Sequence, residues 1–294
     1  MAFLVDEQTH PLIQGLTGRL GGIALAFMRA GGSAPVAGVT PGKGGQNVDG
    51  VPVFDTVLEA REKTGANASI VFVPGSLLED AAQEAMSAGM DPIVAMVDGV
   101  PISVSLSIVA EARRRHITLI GPNSPGVISP GRGILAALRP DFFSQGRVAV
   151  ISRSGGMMST IAYTLTAAGI GQSTCVGIGG DTLIGLGMLE ASELAEADPQ
   201  TEAIVIFGEV GTDQERELAD AIKSGRVRKP VIANIAGAAA PSGIRYSHAG
   251  AHSEGEADSA SHKRQILVEA GAIVVDRYID LPAAVAMNLA DSGA

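Results

Sequence analysis

The stretch "PLIQGLTGRLGG" (residues 11–22) passes from an apolar run into a turn that carries Gly15, Gly18 and Gly21. An apolar run that ends in a glycine-rich turn and continues in a helical pattern predicts a buried strand followed by a helix. Such a turn exposes backbone N–H groups at the start of the helix, where a phosphate is favoured. A plain tight turn without a ligand is the alternative.

The same alternation of apolar runs and helical patterns recurs along the 294 residues. Strands are predicted at residues 11–16, 35–39, 69–73, 92–97, 117–121, 147–152, 173–178, 203–208, 230–236 and 272–276. Continuous apolar strands that alternate with helices indicate an α/β fold of parallel sheets covered on both faces. The Pro- and Gly-rich run 121–133 interrupts this rhythm, so a boundary is expected between about 125 and 146. We take 1–128 and 129–294 as the two domains.

Composition limits the function classes. The net charge is −10 and aromatic residues make up 3% of the chain, which argues against nucleic-acid binding. Cys175 is the single cysteine, so no intrachain disulfide can form, and a reducing compartment is expected. The first residues lack the pattern of a signal peptide, and no apolar run is long enough for a membrane span. We expect a cytoplasmic protein without a membrane segment.

Two further loops follow strands of the first half and should lie at the same sheet edge as the first turn. The loop 38–48 offers no carboxylate for the ribose of NAD, but it offers Lys43 between glycines. A cation there suits the extra phosphate of NADP or coenzyme A. A solvated surface lysine is the alternative, but the glycines on both sides favour a phosphate contact. Asp98, in the loop 95–101, could accept a hydrogen bond from an adenine or a pantetheine amide. It could equally be a helix cap or turn residue.

In the second half, "ISRSGGMMSTIAYTL" (151–165) repeats the order of strand, glycine turn and helix. Ser154, Gly155 and Gly156 would present N–H groups to a second anion. Glu209 ends another strand, where it could face a ligand or cap the next helix. His248 lies among small residues in "RYSHAGAHS" (245–253), and a loop histidine is more often a surface residue than a catalyst.

The strand-end spacing nevertheless puts His248, Glu209 and the 154–156 turn on one edge. These parts would form a phosphohistidine device: an imidazole nitrogen attacks a phosphoryl group while the carboxylate holds the other nitrogen. The helix start would accept the phosphate charge. His248 and His252 are also spaced i, i+4, but neighbouring Gly and Pro residues disfavour a helix, so we expect no metal site.

Several longer blocks resemble the α subunit of succinyl-CoA synthetase over nearly the whole chain. They are "VTPGKGG", "GPNSPGVISPG", "SRSG", "GQSTCVGIGGD", "DPQTEAIVIFGEVG" and "HAGA". The malate–CoA ligase α subunit is a close relative of that family. The resemblance implies a Rossmann-like CoA-binding domain followed by a flavodoxin-like ligase domain. It also implies a β partner with an ATP-grasp site for ATP or GTP and Mg²⁺, in an αβ or α₂β₂ assembly.

The resemblance further implies site residues. His248 would be phosphorylated, Glu209 would be its carboxylate partner, and Ser154 and Gly155 would start the phosphate-binding helix. Coenzyme A is assigned to residues of the first domain: Thr17, Gly18, Arg19, Leu20, Lys43, Met96, Val97 and Asp98.

This sequence departs from the family on the substrate side. Ser159 replaces a tyrosine, Ser124 follows Asn123 where the family has cysteine, and Ser247, His252 and Ser253 flank the histidine differently. The expected reaction is therefore an ADP- or GDP-forming acid–CoA ligation with succinate as the default carboxylate. Malate or another substituted carboxylate, a non-catalytic CoA-binding regulator, and an NADP-dependent oxidoreductase are the alternatives.

Overall fold

The computed structural model describes residues 3–237, 248–251 and 258–289, and the chain divides into two compact units. The first unit comprises Leu4–Asp141 and Leu183–Leu186. The second unit comprises Met1–Phe3, Phe142–Thr182 and the chain from Gly187 onward. The division after Asp141 lies within residues 125–146, where a boundary is expected from the sequence, but beyond residue 128, because a hairpin that spans residues 126–136 belongs to the first unit.

The first unit is built on a seven-stranded sheet. Its strands are β1 (Pro11–Gln14), β2 (Ala37–Val39), β3 (Asn47–Val48), β4 (Val51–Phe54), β5 (Ala68–Val71), β6 (Ile93–Ala95) and β7 (Leu119–Ile120). The spatial order is β3-β4-β2-β1-β5-β6-β7. The pair β3–β4 is antiparallel and the other pairs are parallel. Without β3, the order is that of the doubly wound dinucleotide-binding fold, which reverses between β1 and β5.

Four helices connect these strands: α1 (Arg19–Ala30), α2 (Val57–Thr64), α3 (Leu78–Ser87) and α4 (Ile102–Arg115). In α1, the buried residues Gly21, Ala24, Leu25 and Met28 recur every three or four positions and form its core face. Thr56 caps α2 by accepting a hydrogen bond from the Glu59 N–H, and Gly65 ends that helix in the left-handed conformation.

A hairpin and a returning segment complete the first unit. The hairpin strands are β8 (Gly126–Ser129) and β9 (Gly133–Ala136). The Ile134 N–H donates to Ser33 Oγ at 2.9 Å, which fastens the hairpin to the first unit. The segment Leu183–Leu186 runs beside β7, where the Leu186 N–H donates to the Leu119 carbonyl at 2.7 Å. It therefore covers the edge of the sheet, which would otherwise present unpaired backbone groups.

The second unit has its own parallel sheet. Its strands are β10 (Gln145–Ser152), β11 (Gln172–Gly177), β12 (Ala203–Glu209), β13 (Val231–Ala236) and β14 (Ile273–Val275). They lie in the order β14-β13-β12-β10-β11 with parallel pairings. This is the flavodoxin-like order, which reverses between β10 and β12.

In the described part of this unit, five α-helices accompany the sheet: α5 (Gly155–Ala167), α6 (Met188–Ala197), α7 (Gln214–Lys223), α8 (Ala260–Glu269) and α9 (Leu281–Ala286). Each of the ten predicted strands overlaps an observed strand. Cys175 lies in the core of β11, where burial raises the pKa of its thiol well above the ordinary value. Among the described residues, no helix combines the length and the apolar character that a membrane crossing requires.

Candidate functional site

A cleft in the first unit lies where the strand order reverses, between the ends of β1 and β5. Two cavities of about 440 Å³ and about 420 Å³ open there. Both are lined by the turn residues Gly15 and Gly18 and by the loop Phe72–Pro74. In open α/β sheets, ligands bind outside the carboxyl ends of the strands at this reversal point.

Gly15 allows these two loops to meet. Its φ is +82°, and a Cβ at this position would overlap the Phe72 carbonyl oxygen. Any other residue would therefore push β1 and β5 apart at the mouth of the cleft. Gly18 is the N-cap of α1 and offers no side chain to its first turn. The N–H groups at the start of α1 are therefore left to an external acceptor, as an anion site requires.

Lys43 adds a positive charge to this turn. Its Nζ donates to Thr17 Oγ1 at 3.1 Å, which places the ammonium beside the glycine turn. Asp98 lines the larger cavity together with Met96 and Val97. The N-cap of α4 is Pro101, so the reading of Asp98 as a helix cap was wrong.

The cleft fits a long ligand with phosphate groups at one point and an apolar or amide portion elsewhere. The phosphate partners are the free N–H groups of α1 and the cation, and the extended portion has the two neighbouring cavities. The sequence analysis missed Phe72, Val73 and Pro74, because the loop after β5 contains no charged or glycine-rich motif.

The second unit has an equivalent reversal point, between β10 and β12. The two strands pair in parallel with Ser152 opposite Phe207, so their carboxyl ends share one edge. Ser154 follows β10 and is the N-cap of α5, where its Oγ accepts from the Met157 N–H. Gly155 and Gly156 form the first turn of that helix. This is the helix start that the sequence predicted as an anion site.

Glu209 is the last residue of β12, and its carboxylate meets His248. The imidazole Nδ1 lies 2.8 Å from Oε1 and 3.0 Å from Oε2 of Glu209. A carboxylate can only accept hydrogen bonds, so Nδ1 carries a hydrogen, and in the neutral ring Nε2 carries the lone pair. The N-cap of α7 is Asp213, which shows that the reading of Glu209 as a helix cap was wrong.

The electrostatic surroundings favour a proton on the ring. The hydrogen bond to Glu209 raises the pKa of His248 above its ordinary value, while burial and the nearby Arg153 act in the opposite direction. Asp181 also contributes to the increase in the pKa. The His248 side chain is 23% exposed, so one face of the ring can meet a reactant.

A buried arginine organises the loops around this pair. Arg153 is fully buried, and its guanidinium donates to Thr212 Oγ1 at 3.1 Å and to the Asp181 carbonyl at 3.1 Å. Its Nε lies 3.8 Å from Glu209 Oε1 and has no hydrogen-bond partner among the described residues. Gly250 packs closely against the same guanidinium, and a Cβ at this position would overlap Nη2 of Arg153.

Gly180 packs against the imidazole ring of His248. A Cβ on Gly180 would lie 2.7 Å from Cδ2 of the His248 ring, so glycine leaves the space that the ring occupies. The Gly250 N–H also donates to the Gly180 carbonyl at 3.0 Å. These contacts fix the histidine loop against the loop that follows β11.

Three residues from the substrate-side comparison are also described. Ser159 is half-buried, and its Oγ donates to the Gly155 carbonyl at 3.2 Å within α5. Ser124 is buried, and its Oγ accepts from the Gly126 N–H at 3.0 Å. The Asn123 N–H donates to the Val97 carbonyl. Asn123 and Ser124 belong to the first unit and Ser159 to the second.

The structure thus brings His248 and Glu209 into contact and puts the 154–156 turn at the end of the neighbouring strand. No hydrogen bond between the imidazole and that turn occurs among the described residues. Ser247, His252 and Ser253 lie outside the described residues. No cluster of three or more His, Cys, Asp or Glu side chains suited to a metal occurs within residues 3–237, 248–251 and 258–289.

Two family models match this chain. The one described as "CoA binding domain" matches residues 6–99, and the one described as "CoA-ligase" matches residues 151–273. The first match covers the glycine turn and the cleft of the first unit. The second runs from the end of β10 to the start of β14 and includes Glu209 and His248.

Curated relatives are similar over nearly the full length. The succinate–CoA ligase [ADP-forming] subunit alpha of Methanothermobacter thermautotrophicus is 46% identical, over 93% of this chain and 92% of the relative. The corresponding subunit of Aquifex aeolicus is 42% identical, over 94% and 91%. The malate–CoA ligase subunit alpha of Methylorubrum extorquens is 43% identical, over 93% and 94%.

Among solved structures, ATP citrate lyase from Methanothrix soehngenii, in complex with citrate and coenzyme A, superposes with a TM-score of 0.88. Identity is 22%, and the match covers 97% of this chain but 50% of the lyase, so this chain spans half the length of that protein. This likeness establishes the fold alone. With the two domain matches and the full-length relatives, the chain belongs to the family of succinate–CoA ligase α subunits, which also includes the malate–CoA ligase α subunit.

Proposed function

We propose that this chain, together with a β partner, activates a carboxylate by phosphoryl transfer through His248 and delivers the acyl group to coenzyme A. One observation carries the proposal: the paired contact of His248 Nδ1 with both oxygens of Glu209, at the reversal point of the ligase unit. A surface histidine has no need of a carboxylate at a strand end. A nucleophilic imidazole needs one to fix its tautomer.

The chemistry follows from that tautomer. His248 attacks with the Nε2 lone pair, and the Nε2–P bond forms as the bond between phosphorus and the nucleoside diphosphate breaks. Positive charge develops on the ring, and Glu209 stabilises it through the Nδ1–H hydrogen bond. An oxygen of the substrate carboxylate then takes the phosphoryl group, and the electron pair returns to Nε2. The thiol of coenzyme A supplies the last step, in which it displaces phosphate and forms the thioester.

Ser154, Gly155 and Gly156 would hold the phosphoryl group between donor and acceptor, since they start α5 at the edge next to Glu209. The cleft of the first unit would hold coenzyme A. Its proposed partners are Thr17, Gly18, Arg19, Leu20, Lys43, Met96, Val97 and Asp98, with Val73 and Pro74 added by the structure.

The partner would be an ATP-grasp β subunit that binds ATP or GTP with Mg²⁺, in an αβ or α₂β₂ assembly. We place this assembly in the cytoplasm, because a single buried cysteine suits a reducing compartment. Succinate is the first candidate substrate, because two of the three curated relatives compared above are succinate–CoA ligase subunits. Malate is the second, because a small hydroxyl residue, Ser159, stands where the family has tyrosine and would leave room for an added hydroxyl.

The test is co-purification of the chain with its β partner, followed by incubation with γ-³²P-labelled ATP. We expect acid-labile label on the wild-type chain and none on His248→Asn, whose coenzyme A dissociation constant should stay within a few-fold of the wild type. A panel of carboxylates with ATP and coenzyme A would identify the substrate. If the His248→Asn variant forms acyl-CoA at the normal rate, the proposal is wrong. Coenzyme A binding without any label on the wild type would indicate a regulator.

A further inference from the structure

We propose that Lys263 and Glu215 form a buried clamp on the backbone of Glu209 that positions its carboxylate against His248. The two residues, called the Lys263–Glu215 clamp below, touch neither the imidazole nor its carboxylate partner's oxygens. They are positioning residues, and no part of the sequence analysis pointed to them. The inference rests on the proposed role of His248, but its test has a readout that does not depend on turnover.

The hydrogen bonds of the clamp hold Glu209 from both sides. Lys263 Nζ donates to the Glu209 carbonyl at 2.8 Å, to Glu215 Oε2 at 2.5 Å and to the Gly211 carbonyl. An ammonium has three donors, so each is used. Glu215 Oε1 accepts from the Glu209 N–H at 3.2 Å. Both backbone groups of Glu209 are therefore engaged by one ion pair.

The burial of the clamp argues for a positioning role. The Lys263 side chain is 2% exposed and that of Glu215 is 0% exposed. Removing two charges from water costs several kcal/mol per ion, and well-packed apolar residues of similar volume are often as stabilising or more so. A buried ion pair is therefore weak evidence of a stability role. The ion pair instead fixes geometry: it holds the Glu209 and Gly211 carbonyl oxygens, Glu215 Oε2 and the Glu209 N–H in defined positions.

The surrounding chain is shaped to admit the clamp. A Cβ on Gly208 would overlap Glu215 Oε1, so this glycine lets the carboxylate reach the end of β12. Lys263 lies in the first turn of α8, and its N–H donates to the Ser259 carbonyl. The Gly211 N–H donates to the Asp258 carbonyl at 3.2 Å. The start of α8 is thus joined to the loop after Glu209 at several points.

The clamp determines how the Glu209 carboxylate is oriented toward His248, because it holds the backbone of Glu209. Without the clamp, the carbonyls of Glu209 and Gly211 lose a buried donor, and the chain after β12 must shift to find other partners. A misplacement of about 1 Å in such a site can lower a rate by about a hundredfold. Among the described residues, three charged groups act on His248: Glu209 at the end of β12, Arg153 just after β10, and Asp181 in the loop after β11. The clamp acts on the first of them.

The experiment compares the wild-type complex with the double variant Lys263→Met/Glu215→Met, which leaves no unpaired charge in the core. The matched control is Arg147→Met/Glu202→Met, which removes an ion pair (2.8 Å) near the amino end of β10 in the same unit. Three quantities are measured: the melting temperature, the rate of ³²P transfer to the chain, and the titration of the His248 imidazole by ¹³C NMR.

For the double variant we expect transfer at least about tenfold slower and an imidazole titration midpoint shifted to lower pH, with melting within a few degrees of the wild type. The midpoint falls because the hydrogen bond from Glu209 that raises the pKa of His248 is weakened. The control should keep the wild-type rate and midpoint. A general loss of packing would lower the melting temperature in either variant but would leave the imidazole midpoint in place.

A double variant with the normal rate and an unchanged midpoint overturns the clamp. If the double variant does not fold, Glu215→Gln takes its place, because it keeps the volume and one acceptor; a smaller shift in the same direction supports the clamp, and no shift overturns it. If the wild type never takes up label while the double variant still shifts the imidazole midpoint, the clamp stands and the proposed function fails.

Discussion

Replacing Glu209 by glutamine tests the central pair with the least change of shape. The amide keeps an oxygen that can accept the Nδ1 hydrogen of His248, so the 2.8 Å contact can persist. The negative charge is lost. Because the hydrogen bond to Glu209 is the largest cause of the raised pKa of His248, that pKa should fall toward its ordinary value in the variant.

The expected magnitude follows from the difference between a charged and a neutral hydrogen bond. A hydrogen bond to a charged group contributes about 1.5–3 kcal/mol, and one between neutral groups contributes about 0.5–1.5 kcal/mol. The difference is about 1–1.5 kcal/mol, and the partial exposure of the ring places the effect near the lower end. Since phosphoryl transfer builds positive charge on the ring, the rate should fall by about five- to tenfold.

The assay uses the complex with the β partner. Quench-flow with γ-³²P-labelled ATP gives the transfer rate, and ¹³C-labelled histidine gives the titration midpoint of residue 248. The conservative control is Glu209→Asp, which retains the charge and should keep more of the elevation in the pKa than glutamine does. A glutamine variant with an unchanged or higher midpoint and the full transfer rate would refute the reasoning.

Three further predictions concern the cleft, the support of the ring, and pH. Lys43→Ala removes the ammonium beside Thr17 and should raise the coenzyme A dissociation constant about tenfold in calorimetry, without slowing label uptake; equal affinity would contradict its phosphate role. Gly180→Ala puts a methyl group 2.7 Å from the His248 ring and should slow label uptake at least about tenfold with little change in melting; a normal rate would count against this packing. Because the folded-state pKa of His248 is raised, its pairing with Glu209 should stabilise the fold fully below the ordinary value of 6.5, and this contribution should disappear as the pH rises through the raised pKa. The difference in melting temperature between wild type and Glu209→Gln should therefore shrink as the pH increases, and a difference that grows would show the opposite linkage.

The sequence was sufficient for the parallel core of both units because their strands are continuous apolar runs bounded by glycine and proline. Two antiparallel additions were missed. In β3–β4, Asp49 and Gly50 both have positive φ, which is the Asp-Gly signature of a tight hairpin. The Asp-Gly turn could be found in the sequence, but strands of two and four residues are too short to show the alternation of apolar and polar residues that identifies a strand. The Pro and Gly content of residues 121–133 predicts a domain boundary there, and this obscured the hairpin β8–β9.

The site residues that end strands could be predicted from the sequence, whereas those held by contacts between separate loops and helices could not. Glu209 follows an apolar run, and His248 follows the next one after a loop, so both could be assigned to the same sheet edge. Arg153 stood inside a recognised motif, yet its bonds to Thr212 and Asp181 depend on how three loops converge. A lysine is almost never fully buried unless it is paired, so the burial of Lys263 in α8 is visible only in three dimensions.

Because of the segment Leu183–Leu186, the first unit cannot complete its fold on the ribosome until part of the second unit has been synthesised. This segment completes the edge of the first unit beside β7, yet it is encoded after the opening strands of the second unit. At about 5–20 residues per second, several seconds pass between the emergence of Asp141 and that of Leu186. During this interval the nascent first unit has an open flank, and a truncated gene product that stops at residue 141 would retain it permanently.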